Sequence, residues 1–281
     1  MKRRRTWTSL TAAAAAVPVA MTGTIDLAPT LEFFQSGVTA GKTTSSTYIA
    51  LSTAWAAEGG EGGEGGEAGV DVNRAAEDPV TYLTALDVIA AHYHAGLAAF
   101  LAGDKEQGGM MFAHPISEVY VDMKPTFAKL GVADFEPLMQ ASIEKATSGA
   151  PADEVRQATA KVFEALQAAA AKAPKAKDAG GTVEAKVFLD MLNRAALQLA
   201  AAYKPDGGDA YLDGFGYFTA AKARAPKALA AFTPNAAEAA QAALDQAATA
   251  YPSITQPEVP LLDPGQLMAA VSKVLLAAGP N

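Results

Sequence analysis

From Asp78 to the end of the chain the apolar residues recur every three to four positions, and only short clusters of Gly, Pro and charged residues interrupt them. In the first such run, Tyr82, Leu83, Leu86, Ile89, Ala90, Tyr93, Leu97 and Phe100 trace one face of a 3.6-residue helix. Asp78 is placed to cap it and Pro79 to occupy its first turn, while Gly103 supplies the C′ position and Asp104 the next cap. The same reasoning predicts a second helix over about 105–130, bent or restarted at Pro115, a third over 134–148 and a fourth over 152–172. The expected fold is all-α.

"KAPKAKDAGG" then breaks the pattern, and after it the pattern starts again. "YLTALDVIAAHYHAGLAAF" (82–100) lies over "FLDMLNRAALQLAAAYKPD" (188–206), and with a constant offset of 101 Pro125 meets Pro226 and Gln140 meets Gln241. "AKVFEALQAAA" (160–170) resembles "SKVLLAAGP" (272–280). These matches predict two tandem four-helix-bundle-like repeats, 78–173 and 182–281, with a linker at 174–181, antiparallel helices and short loops. A fixed 34-residue period is absent, which excludes a tetratricopeptide solenoid. The length suffices for one sizeable core or two small ones.

Ahead of the helices, "MKRRR" followed by "TWTSLTAAAAAVPVAM" has the basic-then-apolar order of an export signal, and Ala54-Trp55-Ala56 offers a small-x-small cleavage pattern. Residues 1–56 are therefore expected to be a leader, and 57–77, which open with "AEGGEGGEGGEAG", a flexible tether. The expected location is periplasmic or otherwise exported. The net charge of −8, with no basic cluster after residue 5, argues against nucleic acid and anionic membranes as partners. No transmembrane span is expected in the mature chain. Cysteine is absent, so a metal could be held only by imidazole, carboxylate, thioether or backbone oxygen, a set that suits iron, copper or zinc.

All three histidines, His92, His94 and His114, fall between residues 92 and 114. In the second repeat the positions matching His92, His94, His114 and Glu118 hold Gln198, Ala200, Phe215 and Thr219. Side chains that merely supported the fold are expected to survive in part in the second copy; none does, which suggests one working copy and one scaffold copy. His114 and Glu118 stand four apart on a predicted helix, one turn above each other, and form a two-donor platform. Asp122 continues the row and Met111 begins it. The row faces either solvent or a second neighbour across a polar pocket. His92 and His94 are about 200° apart around their helix and cannot share one ion. One is expected to join His114 and the other to pack. Met110 and Met111 beside His114 keep copper open, though core filling suits Met110. No phosphate loop, HExxH motif or oriented nucleophile is present, so binding fits better than catalysis. The aromatic group Tyr211, Phe215, Tyr217 and Phe218 is expected to serve the core.

The run containing His92, Gly103-Asp104, His114-Pro115, Glu118, Tyr120 and Asp122 resembles a pattern of exported bacterial helical proteins. With the export signal, the doubled four-helix units and "DAYLDGF", the chain is similar to imelysin-like periplasmic iron-uptake proteins and to the periplasmic portions of iron permeases, mainly over residues 82–130. That resemblance implies iron capture or delivery, with a membrane metal transporter as a further partner. It selects His92 over His94, so the expected ligands are His92, His114, Glu118 and Asp122, with His94 and Met111 in reserve, and Tyr120 as an orienting group. The imelysin-like motif is Gly-x-His-x-x-Glu, whereas Ala113-His114-Pro115-Ile116-Ser117-Glu118 is one residue longer between His and Glu. The alternatives are a helical interaction module without metal and a copper-binding protein using His and Met.

Overall fold

A computed structural model describes residues 69–175 and 180–279. The expected leader (1–56), the first part of the tether (57–68) and residues 176–179 of the expected linker lie outside the described residues. Helix α1 is Pro79–Leu101. The Asp78 carboxylate caps it, accepting from the Val80 N–H at 3.0 Å and from Thr81 Oγ1 at 2.8 Å. Gly103 follows with φ +100°, the left-handed turn for which a side chain is a burden. Helix α2 (105–129) is one rod in three pieces: α-helical Lys105–Pro115, a π turn Ile116–Tyr120, and α-helical Val121–Lys129. Then come α3 (Glu136–Thr147), α4 (Ala152–Ala170), α5 (Gly180–Ala202), α6 (Ala210–Ala231), α7 (Pro234–Ala250) and α8 (Pro264–Ala278). The described residues contain no strand, and none of their helices is long and apolar enough to cross a membrane.

Two boundaries differ from expectation. The tether does not extend to residue 77, because the Glu77 and Asp78 N–H groups close a turn on the Arg74 carbonyl, and Ala75 is fully buried. The glycine-rich composition stops at Gly69, and Val70 and Val72 pack against the core. Helix α5 begins at Gly180, inside the stretch expected to be a linker. It has the same 23-residue length as α1.

In the first half the helices pack in the cycle α1–α2–α3–α4–α1, and in the second α5–α6–α7–α8–α5. The halves do not form separate cores. Helix α1 also packs against α5 and α6, and one continuous apolar cluster draws on both halves. The apolar stripe visible in the sequence is one side of α1; its other side carries Ala85, Val88, Ala91 and Ala95, all buried. A helix apolar all round is a central helix. Arg224 of α6 fastens this arrangement. Its Nε and Nη2 donate to the Asp87 carboxylate of α1 at 2.6 and 2.7 Å, and its Nη1 to Glu184 of α5.

Candidate metal centre

Small residues set the depth at which α1 meets its neighbours. A Cβ on Gly108 of α2 would come within 2.9 Å of the Gly96 carbonyl oxygen of α1 and 2.8 Å of Phe100. On the other side, a Cβ on Gly216 of α6 would collide with the Ala91 carbonyl oxygen. These two close approaches bring α2 and α6 onto α1 beside the one polar residue of its buried wall that carries an imidazole, His92, 4% exposed.

The orientation of that ring follows from a single hydrogen bond. His92 Nδ1 lies 2.9 Å from the Val88 carbonyl oxygen, which can only accept, so the proton resides on Nδ1. In the neutral ring Nε2 then carries the lone pair, and it faces Glu118 Oε2 at 3.4 Å and Asp213 Oδ1 at 3.6 Å. His114 Nδ1 lies 3.8 Å from Glu118 Oε1, and the two imidazole rings stand edge to face with centroids 6.1 Å apart. His92, His114 and Glu118 each present a ligand atom within 4.8 Å of the others.

A π turn lies directly after His114 and Pro115 and carries Glu118. Pro115 has no N–H to give the preceding turn. The chain widens there, with the Val121 N–H reaching back five residues to the Ile116 carbonyl. His114 and Glu118, four apart, lie on the same side of the helix across this junction, with His114 Nδ1 3.8 Å from Glu118 Oε1. Ser117 Oγ donates to the His114 carbonyl at 3.2 Å.

The electrostatics are those of charges gathered away from water. Burial drives the Asp213 carboxyl up to about 6, with the Glu118 carboxylate adding to the shift. Burial alone would depress His92, but the Glu118 and Asp213 carboxylates outweigh it and raise the imidazole above its ordinary value. The His92 imidazole in turn holds Glu118 below the usual carboxylate range. The Tyr217 ring lies edge to face over His92, 6.3 Å between centroids, and carries the Arg194 guanidinium 5.7 Å above its own face. A cavity of about 450 Å³ opens onto the group, lined also by Gln198, Lys204 and Asp209.

Several expected site residues stand elsewhere. Asp122 is exposed and, eight residues beyond His114, does not line the cavity. His94 stacks on Phe163 with centroids 4.6 Å apart, and burial pushes its imidazole down to about 4. Met111 is fully buried and does not line the cavity. The Tyr120 hydroxyl is committed to the loop before α3, donating to Asp134 Oδ1 at 2.5 Å and accepting from the Phe135 and Glu136 N–H groups, so it orients no ligand. The expected scaffold half supplies Gln198, Asp213 and Tyr217 to the cavity, which corrects its reading as support alone. Asp213 was the missed residue. Its signal was a carboxylate four positions before Tyr217, on the helix face that continues through the buried Ala220 and Ala221. Comparison with protein-family models, curated proteins and solved structures finds no match to this chain.

Proposed function

We propose that this protein captures a divalent transition-metal ion, iron(II) foremost, and passes it on, with His92, His114 and Glu118 as ligands. The observation that carries the reading is that His92, His114 and Glu118 each present a ligand atom within 4.8 Å of the others. The two imidazoles approach different oxygens of the Glu118 carboxylate at 3.4 and 3.8 Å, longer than charge-assisted hydrogen bonds of about 2.7–2.9 Å. These separations are close to the ligand–ligand edge of roughly 3.4 Å that tetrahedral geometry gives when each donor sits about 2.1 Å from an ion. The Nδ1–Val88 bond supports it further, because metal-binding histidines characteristically have their second nitrogen fixed in this way.

Two imidazoles and a carboxylate suit iron(II) or zinc. Copper(I) is less well served, because the thioether of Met111 is packed in the core. Protons and metal compete for the same lone pairs, so the ion binds at neutral pH and leaves on acidification. The leader-like amino end fits a role outside the cytoplasm, with a membrane metal transporter as the recipient.

The test is calorimetric titration of the chain with Fe(II) under anaerobic conditions, and with Zn(II) and Cu(I), alongside a His114→Ala/Glu118→Ala double variant. One ion per chain is expected for the wild type and no measurable binding for the variant. Undiminished binding by the double variant would refute this assignment. Elemental analysis of protein taken from its native source identifies the cargo.

A further inference from the structure

We infer that Asp213 is a fourth metal ligand, supplied by α6, so that the ion is held across the junction of the two halves. This rests on the metal reading above. Asp213 Oδ1 is buried and has no hydrogen-bond partner, although it stands 3.6 Å from His92 Nε2. A buried carboxylate oxygen without a donor forfeits its solvation and receives nothing in return, a cost that needs a compensating charge. Nor can His92 reorganise to satisfy it from its other nitrogen, which is held by the Val88 carbonyl.

Position as well as need points to coordination. Helix α6 is fixed on both sides of Asp213. One turn before it, Asp209 Oδ1 accepts from Gln107 Nε2 of α2 at 3.0 Å; three residues after it, Gly216 lies against Ala91 of α1. The Asp213 oxygen is therefore presented to the group by packing that does not depend on the ion. Two neutral imidazoles and two carboxylates neutralise a divalent cation. His92, His114 and Glu118 already present ligand atoms within 4.8 Å of one another. A movement of the Asp213 side chain from its place 3.6 Å from His92 completes a tetrahedral shell. Zinc-type catalytic centres keep one of their positions open, whereas holding centres are closed by four protein donors. Asp213 places this site in the second class: the ion is retained until α6 or its side chain yields, and no position is left for a reacting substrate.

Cobalt(II) is the probe, because its visible absorption is intense in four-coordinate sites and weak when water expands the shell. The full chain should bind Co(II) with the intense spectrum. Asp213→Asn should bind it more weakly, on the order of 10- to 100-fold, with the absorption faded. Asp206→Asn removes the same charge from the same cavity, at an exposed residue, and should retain the spectrum and most of the affinity. Wild-type affinity and spectrum in Asp213→Asn, or an equal loss of spectrum in Asp206→Asn, would overturn the assignment. If Asp213→Asn does not fold, Asp213→Glu decides: a shifted band supports ligation and an unshifted one refutes it. A wild-type chain that binds no Co(II), Fe(II) or Zn(II) fails at the earlier reading and takes this one with it. Binding lost in the His114→Ala/Glu118→Ala variant but spectrally unchanged in Asp213→Asn removes only this one.

Discussion

Two histidines separated by one residue on α1 are put to opposite uses by what lies beside them. His92 meets carboxylates, and its imidazole is pushed up; His94 meets the flat face of Phe163, and burial pushes it down to about 4. For His94 the folded value lies below the ordinary 6.5, so the unfolded chain binds the proton more readily. The stability it contributes is complete above pH 6.5 and is lost as the pH falls towards 4. In metal-free protein, urea melts across pH 7 to 4 should therefore show His94→Gln losing less stability on acidification than the wild type. Parallel acid limbs would contradict this account of the ring. The separation between the two rings was readable from their angular spacing, but which ring meets carboxylates was not, because Asp213 lies more than a hundred positions away and local pattern carries no record of it.

Helix-scale features decide whether the donors converge at all. The lengths of α1 to α4 were legible because caps, glycines and the 3.6 period coincide; the π turn was not, since Pro115 announces a break without stating its form. Equally silent was the role of Gly108, which reads as a weak helix residue until its facing partner Gly96 is known. A Gly108→Ala change favours the isolated helix by about 1 kcal/mol. Against this stands a clash with backbone atoms at 2.9 Å and 3.0 Å, which cannot rotate away. Overpacking of this kind costs about 1–3 kcal/mol, so net destabilisation is expected in denaturant melts, together with weaker metal binding as α2 and its His114–Glu118 pair move off His92. A variant as stable as the parent and with full affinity would show that the crossing tolerates a methyl group.

Across the whole molecule, alanine supplies much of the surface on which helices of the two halves meet. Such faces give helical period plainly but partner choice poorly, which explains why the sequence suggested a working half and a supporting half while the site draws on both. Partner choice is written in charge at the Arg224 contact with Asp87 and Glu184, beside the approaches of Asp213 to His92 and of Asp209 to Gln107. Replacing Arg224 by Met leaves two acids in a mostly buried position without their cation and should cost on the order of 3 kcal/mol, read as a lower urea midpoint for the entire chain and not for one half alone. Metal should act in the opposite sense. At a hundredfold excess over Kd, an ion bound only by the folded state adds about 2.7 kcal/mol, or about 5–10 °C in Tm for a chain of this size. A single cooperative shift is expected, and two separate transitions with only one moving would contradict a shared site.

The seam location also bears on how the protein is made. A polypeptide emerging amino end first displays its imidazoles and Glu118 well before the stretch containing Asp213 and Tyr217 has left the ribosome. Until then the His92 ring lacks the carboxylate and the aromatic ring that face it in the fold, so this polar group is completed only by the later half of the chain.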